Sequence, residues 1–408
     1  MFFKIAFRNI WRNKGRSLIT IASIFFAVLF SSFMNSFQKG AWDRMLDNVV
    51  NFYYGYAQIH KNGYWEDQTI NNSFKYDEKF ESIKSEIPKI KEITPRLESF
   101  ALASFGQQTT GMLIVGTDPE KENTLTELKD KLIEGSYLEQ NDKAVMVAEG
   151  AKKQLGISMG DTIVLISQGY HGVNAAGKYP VKGIIKFASP DLNKKMIYMP
   201  LAESQYFFGA ENLITSLGLK LDDRNDIPVV MKNLKAKFDE EEFELMDWSQ
   251  MIPELVEAQK TDAAGNYIFL LVLYILITFG IFGTILMMVK EREYEFGVLV
   301  SIGMKRRILS FTTWIEVVLL GIIGAIAGII ACIPLVYYFH KNPIDFSQAG
   351  EEMNEAYEKW GFDPIMPTAF EVDIFMFQAL IVFILTSLLA TYAIYKIWRL
   401  KPIEAMRS

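Results

Sequence analysis

Between two long apolar spans lies a short charged run, Lys290-Glu291-Arg292-Glu293-Tyr294-Glu295-Phe296-Gly297-Val298-Leu299-Val300-Ser301-Ile302-Gly303-Met304-Lys305-Arg306-Arg307, and its spacing suits binding. Phe296, Leu299, Val300 and Gly303 recur at intervals of three and four, so a helix would gather them on one face with the charges crowded at its two ends. Lying beside a bilayer, such a helix can be pushed from the cytoplasm. Groupings able to catalyse are missing. The three histidines, His60, His171 and His340, are far apart in sequence and have no H-E-x-x-H or cysteine pair beside them, so they read as solvated or structural. No G-x-x-x-x-G-K-[ST] phosphate loop and no G-x-S-x-G elbow occurs, and the apolar spans carry no paired Asp or Glu to relay protons. The chain reads as a non-enzyme with no metal and no cofactor of its own, and any ATP it depends on must be bound by another subunit.

Long apolar spans must hold that helix in place. Of the 408 residues 50% are hydrophobic, and windows of roughly 20 residues, enough to cross about 30 Å of hydrocarbon, pick out four spans. They are 17–37, 267–289, 308–339 (uncharged from Val317) and 374–395. Basic residues fix the orientation, because Lys and Arg resist translocation. Lys4, Arg8, Arg12, Lys14 and Arg16 precede the first span, Lys290, Arg292, Lys305, Arg306 and Arg307 follow the second, and Lys396, Arg399, Lys401 and Arg407 follow the fourth. The loop 340–373 instead carries Asp345, Glu351, Glu352, Glu355, Glu358, Asp363, Glu371 and Asp373 against Lys341 and Lys359. The expectation is a cytoplasmic N-terminus (1–16), a cytoplasmic helix (290–307), a cytoplasmic tail (396–408) and an external segment 38–266. The first span reads as an uncleaved anchor, since it is longer than a signal core and no small-x-small site follows. A net charge of −6 argues against nucleic acid as partner.

Cys332 is the single cysteine and falls in the third span, so the external segment must hold itself together by packing alone. Short β-like runs recur there at Ala57–His60, Met112–Val115, Ala144–Ala148, Thr162–Ile166, Met196–Met199 and Leu217–Leu221. Pro200 and Pro228 open helices, and Gly156 ends one. The pattern predicts an α+β domain inserted between the first and second of four transmembrane helices. The stretch 168–182 reads as a long hairpin loop and 130–190 as an insertion subdomain. From Pro253 to Glu293 no further proline occurs, which predicts one helix joining the external segment to the cytoplasmic one.

The whole arrangement resembles the MacB/LolCE-type, or mechanotransmission, ABC transporter permeases. The run Glu291 to Met304 is similar to that family's E-R-x-x-E-[IF]-G-x-x-x-[AS]-[IL]-G pattern. Ala6-Phe7-Arg8-Asn9-Ile10-Trp11-Arg12-Asn13-Lys14, Val115-Gly116-Thr117-Asp118-Pro119-Glu120, Gly160-Asp161 and the ending Lys401-Pro402-Ile403-Glu404-Ala405-Met406-Arg407 support it. The resemblance implies a multi-pass protein of the bacterial inner membrane. It also implies that Glu291, Arg292, Glu295, Phe296, Gly297, Val298, Leu299, Ile302, Gly303 and Met304 form the contact to a cytoplasmic ABC ATPase dimer, which supplies ATP and Mg. A second permease chain, membrane lipid, a lipoprotein substrate and a periplasmic carrier or adaptor complete the implied partners. The stand-alone length suits the lipoprotein-release branch. MacB-like export of peptides or drugs, or FtsX-like signalling to a cell-wall hydrolase, are the alternatives.

Several side chains have two readings. Phe26, Phe30, Phe33 and Phe37 share a helix face that either contacts lipid and neighbouring helices or, given the resemblance, walls a substrate cavity for acyl chains. Gly321, Gly324 and Gly328 suit close helix packing. Glu316 reads as packed or paired with a nearby cation, and Tyr206-Phe207-Phe208 as a core-facing helix segment more than a docking patch.

Overall fold

The computed structural model describes residues 2–12, 14–187, 189–346 and 365–405. Most of the acidic loop, including Glu351, Glu352, Glu355, Glu358, Lys359 and Asp363, lies outside the described residues, as do Asn13, Met406 and Arg407. The chain divides into two compact units, one made of Met1–Arg44, Ala258–Asp345 and Ile365–Ser408, the other of Met45–Glu257 and Phe346–Pro364.

Among the described residues, four helices are long and apolar enough to cross a membrane. The first, Lys14–Val49, does not end at Phe37, because nothing in Gln38–Val49 breaks a helix. Gly40 is required within it. A Cβ there would lie 2.3 Å from Pro367 O, where the chain approaching the fourth apolar helix lies against the first and Ala369 N donates to Ser36 O at 2.8 Å. The second, Pro253–Glu291, is continuous over 39 residues. Arg292 then leaves the helical region (φ −98°, ψ 4°), and a separate short helix, Glu293–Ser301, begins. The third, Arg306–Lys341, and the fourth, Val372–Arg399, complete the set.

The glycines of the third apolar helix are contact points. A Cβ on Gly324 would lie 2.8 Å from Ile24 Cβ, one on Gly328 2.8 Å from Phe25 O, and one on Gly321 2.5 Å from Thr386 Cγ2. Backbone thus meets backbone against the first helix, and the fourth is reached through Gly321. Gly328→Val is expected to destabilise the protein by about 1–3 kcal/mol through overpacking. A lowered thermal midpoint of the detergent-purified chain would show it, and an unchanged one would mean that the helices do not touch there.

The second unit is built on a ten-stranded sheet. Its strands are β1 (Ala57–Lys61), β2 (Ile90–Phe105), β3 (Gln108–Thr117), β4 (Leu132–Gly135), β5 (Val145–Ala148), β6 (Thr162–Gln168), β7 (Asn174–Ile185), β8 (Met196–Pro200), β9 (Ser216–Leu221) and β10 (Phe243–Asp247). The order is β10-β1-β9-β2-β3-β8-β5-β7-β4, with β6 paired to β2 and β7. Only β3 with β8 and β5 with β7 run parallel. One correction to the sequence expectation follows. Residues 174–182 belong to a strand, since β7 pairs residue by residue with β6 from Asn174↔Gln168 to Pro180↔Thr162. The strands of 130–190, β4, β5, β6 and β7, join the same sheet as β1, β2 and β3.

Two apolar clusters cover this sheet. One includes Leu97, Met112, Ile163 and Phe208, the other Ile59, Phe80, Leu217 and Leu234. Tyr206 is exposed while Phe207 and Phe208 are buried, so that helix end faces the core. Within the run Val115 to Glu120, Gly116, Asp118 and Pro119 have mechanical reasons. Gly116 leaves room for the helix Leu201–Phe208, since a Cβ would strike Ser204 Oγ at 1.7 Å. Asp118 caps the helix Pro119–Thr126 by accepting from Glu120 N and Lys121 N, with Pro119 at its first position. That helix delivers Glu122 to Arg96.

Arg96 and Glu122 are both fully buried. Arg96 Nε and Nη2 donate to the two Glu122 oxygens at 2.8 and 2.6 Å, and Nη1 donates to Tyr53 O at 2.7 Å. Glu98, 3.7 Å from Arg96, accepts from Tyr53 OH at 2.6 Å and Ser216 Oγ at 3.0 Å. Burial alone would lower the Arg96 pKa, but the charge and hydrogen bonds of Glu122, with Glu98 behind it, raise it instead. His60 is buried as well. Loss of solvation pushes its pKa down to about 3, so the ring stays neutral while Nε2 bonds Gln58 Oε1 at 2.7 Å.

Candidate functional site

The helix Glu293–Ser301 and the turn after it are held by packing, by charge and by backbone geometry. Phe296 is fully buried in a cluster with Leu309, Ile397, Leu400 and Ala405, and Leu299 and Val300 pack against it. The apolar stripe with spacings of three and four is therefore turned inward, onto this chain's own third and fourth apolar helices. At the far end Gly303 adopts φ +102°, while Met304 N donates to Leu299 O at 3.0 Å and Gly303 N to Val300 O at 3.1 Å. That is a Schellman stop, which needs a left-handed residue at Gly303. Arg306 then reaches across, its Nη2 donating to Leu400 O at 2.8 Å and its Nη1 to Trp398 O, which satisfies carbonyls at the C-terminal end of the fourth helix.

At the N-terminal end a charge network takes over. Arg292 Nη1 donates to Glu316 Oε2 at 2.7 Å and its Nε to Glu295 Oε2 at 3.3 Å. Side-chain exposure is 11% for Arg292 and 6% for Glu316, so this pair is shielded from water. The helix Phe2–Arg12 joins through Asn9 Nδ2, 3.3 Å from the same Glu316 oxygen, and through Arg12 Nη2, which donates to both Glu295 oxygens at 2.7 and 2.8 Å. Partial burial works to raise the Glu295 pKa, but hydrogen bonding and charge from Arg12, with Arg292 beside it, hold it below the usual carboxylate range. Arg12 shifts up in turn, first through its hydrogen bond to Glu295. The Arg12–Glu295 pair is about half exposed and worth little by itself. The buried Arg292–Glu316 pair positions the helix.

The outward surface is apolar too. Ile302 is 79% exposed, Tyr294 56% and Met304 38%. Glu291 is exposed, Val298 is half-buried and Gly297 is buried. Of the residues grouped by the sequence motif, Phe296 and Gly297 support the helix from behind, and Tyr294, Ile302 and Met304 present a surface. Glu316, read from the sequence as packed or paired, pairs with Arg292, and Asn9 and Arg12 belong to the opening run; what motif spacing does not reveal is that these distant helices meet the short one here.

The four phenylalanines of the first helix separate into two pairs. Phe26 and Phe30 are each 55% exposed. Phe33 packs on the cluster of Cys332, Val336 and Phe375, with Phe37 stacked 6.4 Å away. None of them lines the apolar cavity of about 830 Å3 bounded by Asn35, Lys39, Tyr267, Tyr274, Phe377 and Leu385, which the first, second and fourth apolar helices enclose.

Residues 17–237 match the family described as MacB-like periplasmic core domain, and residues 267–402 match FtsX-like permease C-terminal. Among curated relatives, the "Lipoprotein-releasing system transmembrane protein LolC" of Xylella fastidiosa is 20% identical over 329 residues, which is 78% of each chain. The "Lipoprotein-releasing system transmembrane protein LolE" of Haemophilus influenzae is 21% identical over 226 residues, 53% of each chain. Among solved structures, the periplasmic region of MacB from Actinobacillus actinomycetemcomitans matches at 17% identity and a TM-score of 0.37, covering 52% of this chain and 97% of that one.

Proposed function

The chain belongs to the MacB-like permease family, with an FtsX-like C-terminal region, and from that premise we propose that it couples a separate cytoplasmic ATPase to lipoprotein extraction. It is a membrane permease of the ABC type, built from four apolar helices and a large α+β domain between the first and second. The ATPase docks on the surface of Tyr294, Ile302 and Met304, rimmed by Glu291, Lys305 and Arg307. The observation that carries this is the exposure of Ile302 on a helix whose other apolar face is already buried. An apolar side chain 79% exposed beside rigidly held backbone fits a partner's pocket.

Mg-bound ATP stays with the partner. Closure of two ATPase subunits draws two permease chains together, with both termini and the short helix in the cytoplasm. That the LolC and LolE relatives are lipoprotein-releasing proteins supports lipoprotein as substrate. The exposed Phe26 and Phe30 pair offers acyl chains an apolar surface on the first helix.

One experiment tests both levels. The chain and its Ile302→Asp variant are purified from native membranes in mild detergent, and the bound proteins are identified by mass spectrometry. A hot-spot side chain in such a socket carries about 2 kcal/mol or more, so the variant should retain about thirtyfold less ATPase. Equal ATPase recovery would remove Ile302 from the interface. Lipoproteins in the wild-type eluate support release; a periplasmic adaptor or a cell-wall hydrolase in their place would keep the motor and replace the substrate.

A further inference from the structure

Behind the short helix lies a cavity of about 520 Å3 whose described rim carries Lys290, Lys396, Arg399 and Lys401 beside the carboxylate of Glu293. Glu293 is already engaged, 2.8 Å from Lys290 Nζ. The Arg399 guanidinium lies 4.8 Å from the ring centroid of Tyr395, another wall residue. Among the described lining residues cations outnumber carboxylates, so the rim attracts an anion. The floor is apolar, made by Leu286, Val289, Phe296 and Ile397. Leu286 and Val289 belong to the second apolar helix, and the cavity sits where that helix and the fourth end.

We propose that this cavity seats the phosphate headgroup of an anionic phospholipid, with the cations on the phosphate and the first methylenes of an acyl chain against Leu286 and Val289. The floor favours a lipid over a soluble phosphate, which has nothing to bury on aliphatic side chains. Phe296, the anchor of the short helix, forms part of the wall, so bound lipid braces the same element that presents Ile302. The proposal rests on the chain lying in a membrane and is independent of which ATPase docks.

Native mass spectrometry of the full chain in mild detergent tests it, with phosphatidylglycerol and phosphatidylcholine of identical acyl chains as probes. Phosphatidylglycerol should be retained selectively. The Lys396→Gln/Arg399→Gln variant, losing two surface cations, should lower that retention by about thirtyfold. Arg8→Gln/Lys14→Gln removes the same charge at positions outside the cavity lining and should leave retention near the wild-type level. Leu286→Trp, at a half-exposed floor position, fills the cavity without touching a charge and should also reduce retention, which guards against a misfolded charge variant. Equal loss in both charge pairs would reduce the effect to diffuse attraction and overturn the site. Equal retention of phosphatidylcholine, or competition by inorganic phosphate as strong as by phosphatidylglycerol, would overturn the lipid assignment.

Discussion

Replacing Arg292 with leucine is expected to cost about 3–5 kcal/mol of stability, because it strands the Glu316 carboxylate, only 4% exposed, without its cation. Asn9 alone cannot compensate, since its amide is 3.3 Å from the same oxygen and carries no charge. The double variant Arg292→Leu/Glu316→Leu should recover most of the loss, as buried pairs replaced together by apolar groups often do. Thermal unfolding of the detergent-purified proteins separates the cases. A single variant as stable as the wild type would mean that Glu316 is neutral or finds another donor. The double variant also divides structure from coupling. It restores burial without restoring the hydrogen bond that fixes where the short helix begins, so its stability should recover while its ATPase retention stays below wild type.

Arg96→Met should be at least as damaging, by about 3–5 kcal/mol, because Glu122 and Glu98 would then share no cation inside the sheet. Set against a typical domain stability of about 5–15 kcal/mol, that is enough to leave the sheet unit partly unfolded at growth temperature. Limited proteolysis of the full chain should show new cleavage within 45–257. The exposed Lys129–Glu120 pair is the internal comparison: its side chains are 42% and 76% exposed, and Lys129→Ala should change stability by about 0.5 kcal/mol or less. Wild-type protease resistance in Arg96→Met would show that the buried triad does not hold the sheet together.

The same residues explain what the sequence could reveal. Apolar runs long enough to span a bilayer have few alternatives, and each of the four spans lies within one long helix. Strands rich in Val, Ile and Met, such as Val145–Ala148 and Met196–Pro200, are also visible in the pattern. The 16-residue strand β2, which pairs with β3, β6 and β9, is not. It carries Lys91, Glu92, Pro95, Arg96 and Glu98, a mix that strands disfavour, and the burial of Arg96 and Glu98 is tolerable only because Tyr53, Glu122 and Ser216 supply partners from far along the chain. The break after Glu291 was likewise out of reach. Local propensity continues the helix, and the pull comes from Glu316, 24 residues onward. The amphipathic stripe of Phe296, Leu299 and Val300 correctly marks a buried face, yet spacing alone cannot say whether the burying surface belongs to a partner or to the chain itself.

That the chain buries this stripe itself has a bearing on how permease and motor come to be matched. The inward residues answer to the fold, whereas Tyr294, Ile302 and Met304 answer to whatever they meet outside. On the docking surface proposed above, a lineage would change motors by altering a few outward side chains without disturbing the scaffold behind them. Grafting those positions between two permeases of this kind should redirect each to the other's ATPase, making the pairing a matter of address rather than of architecture.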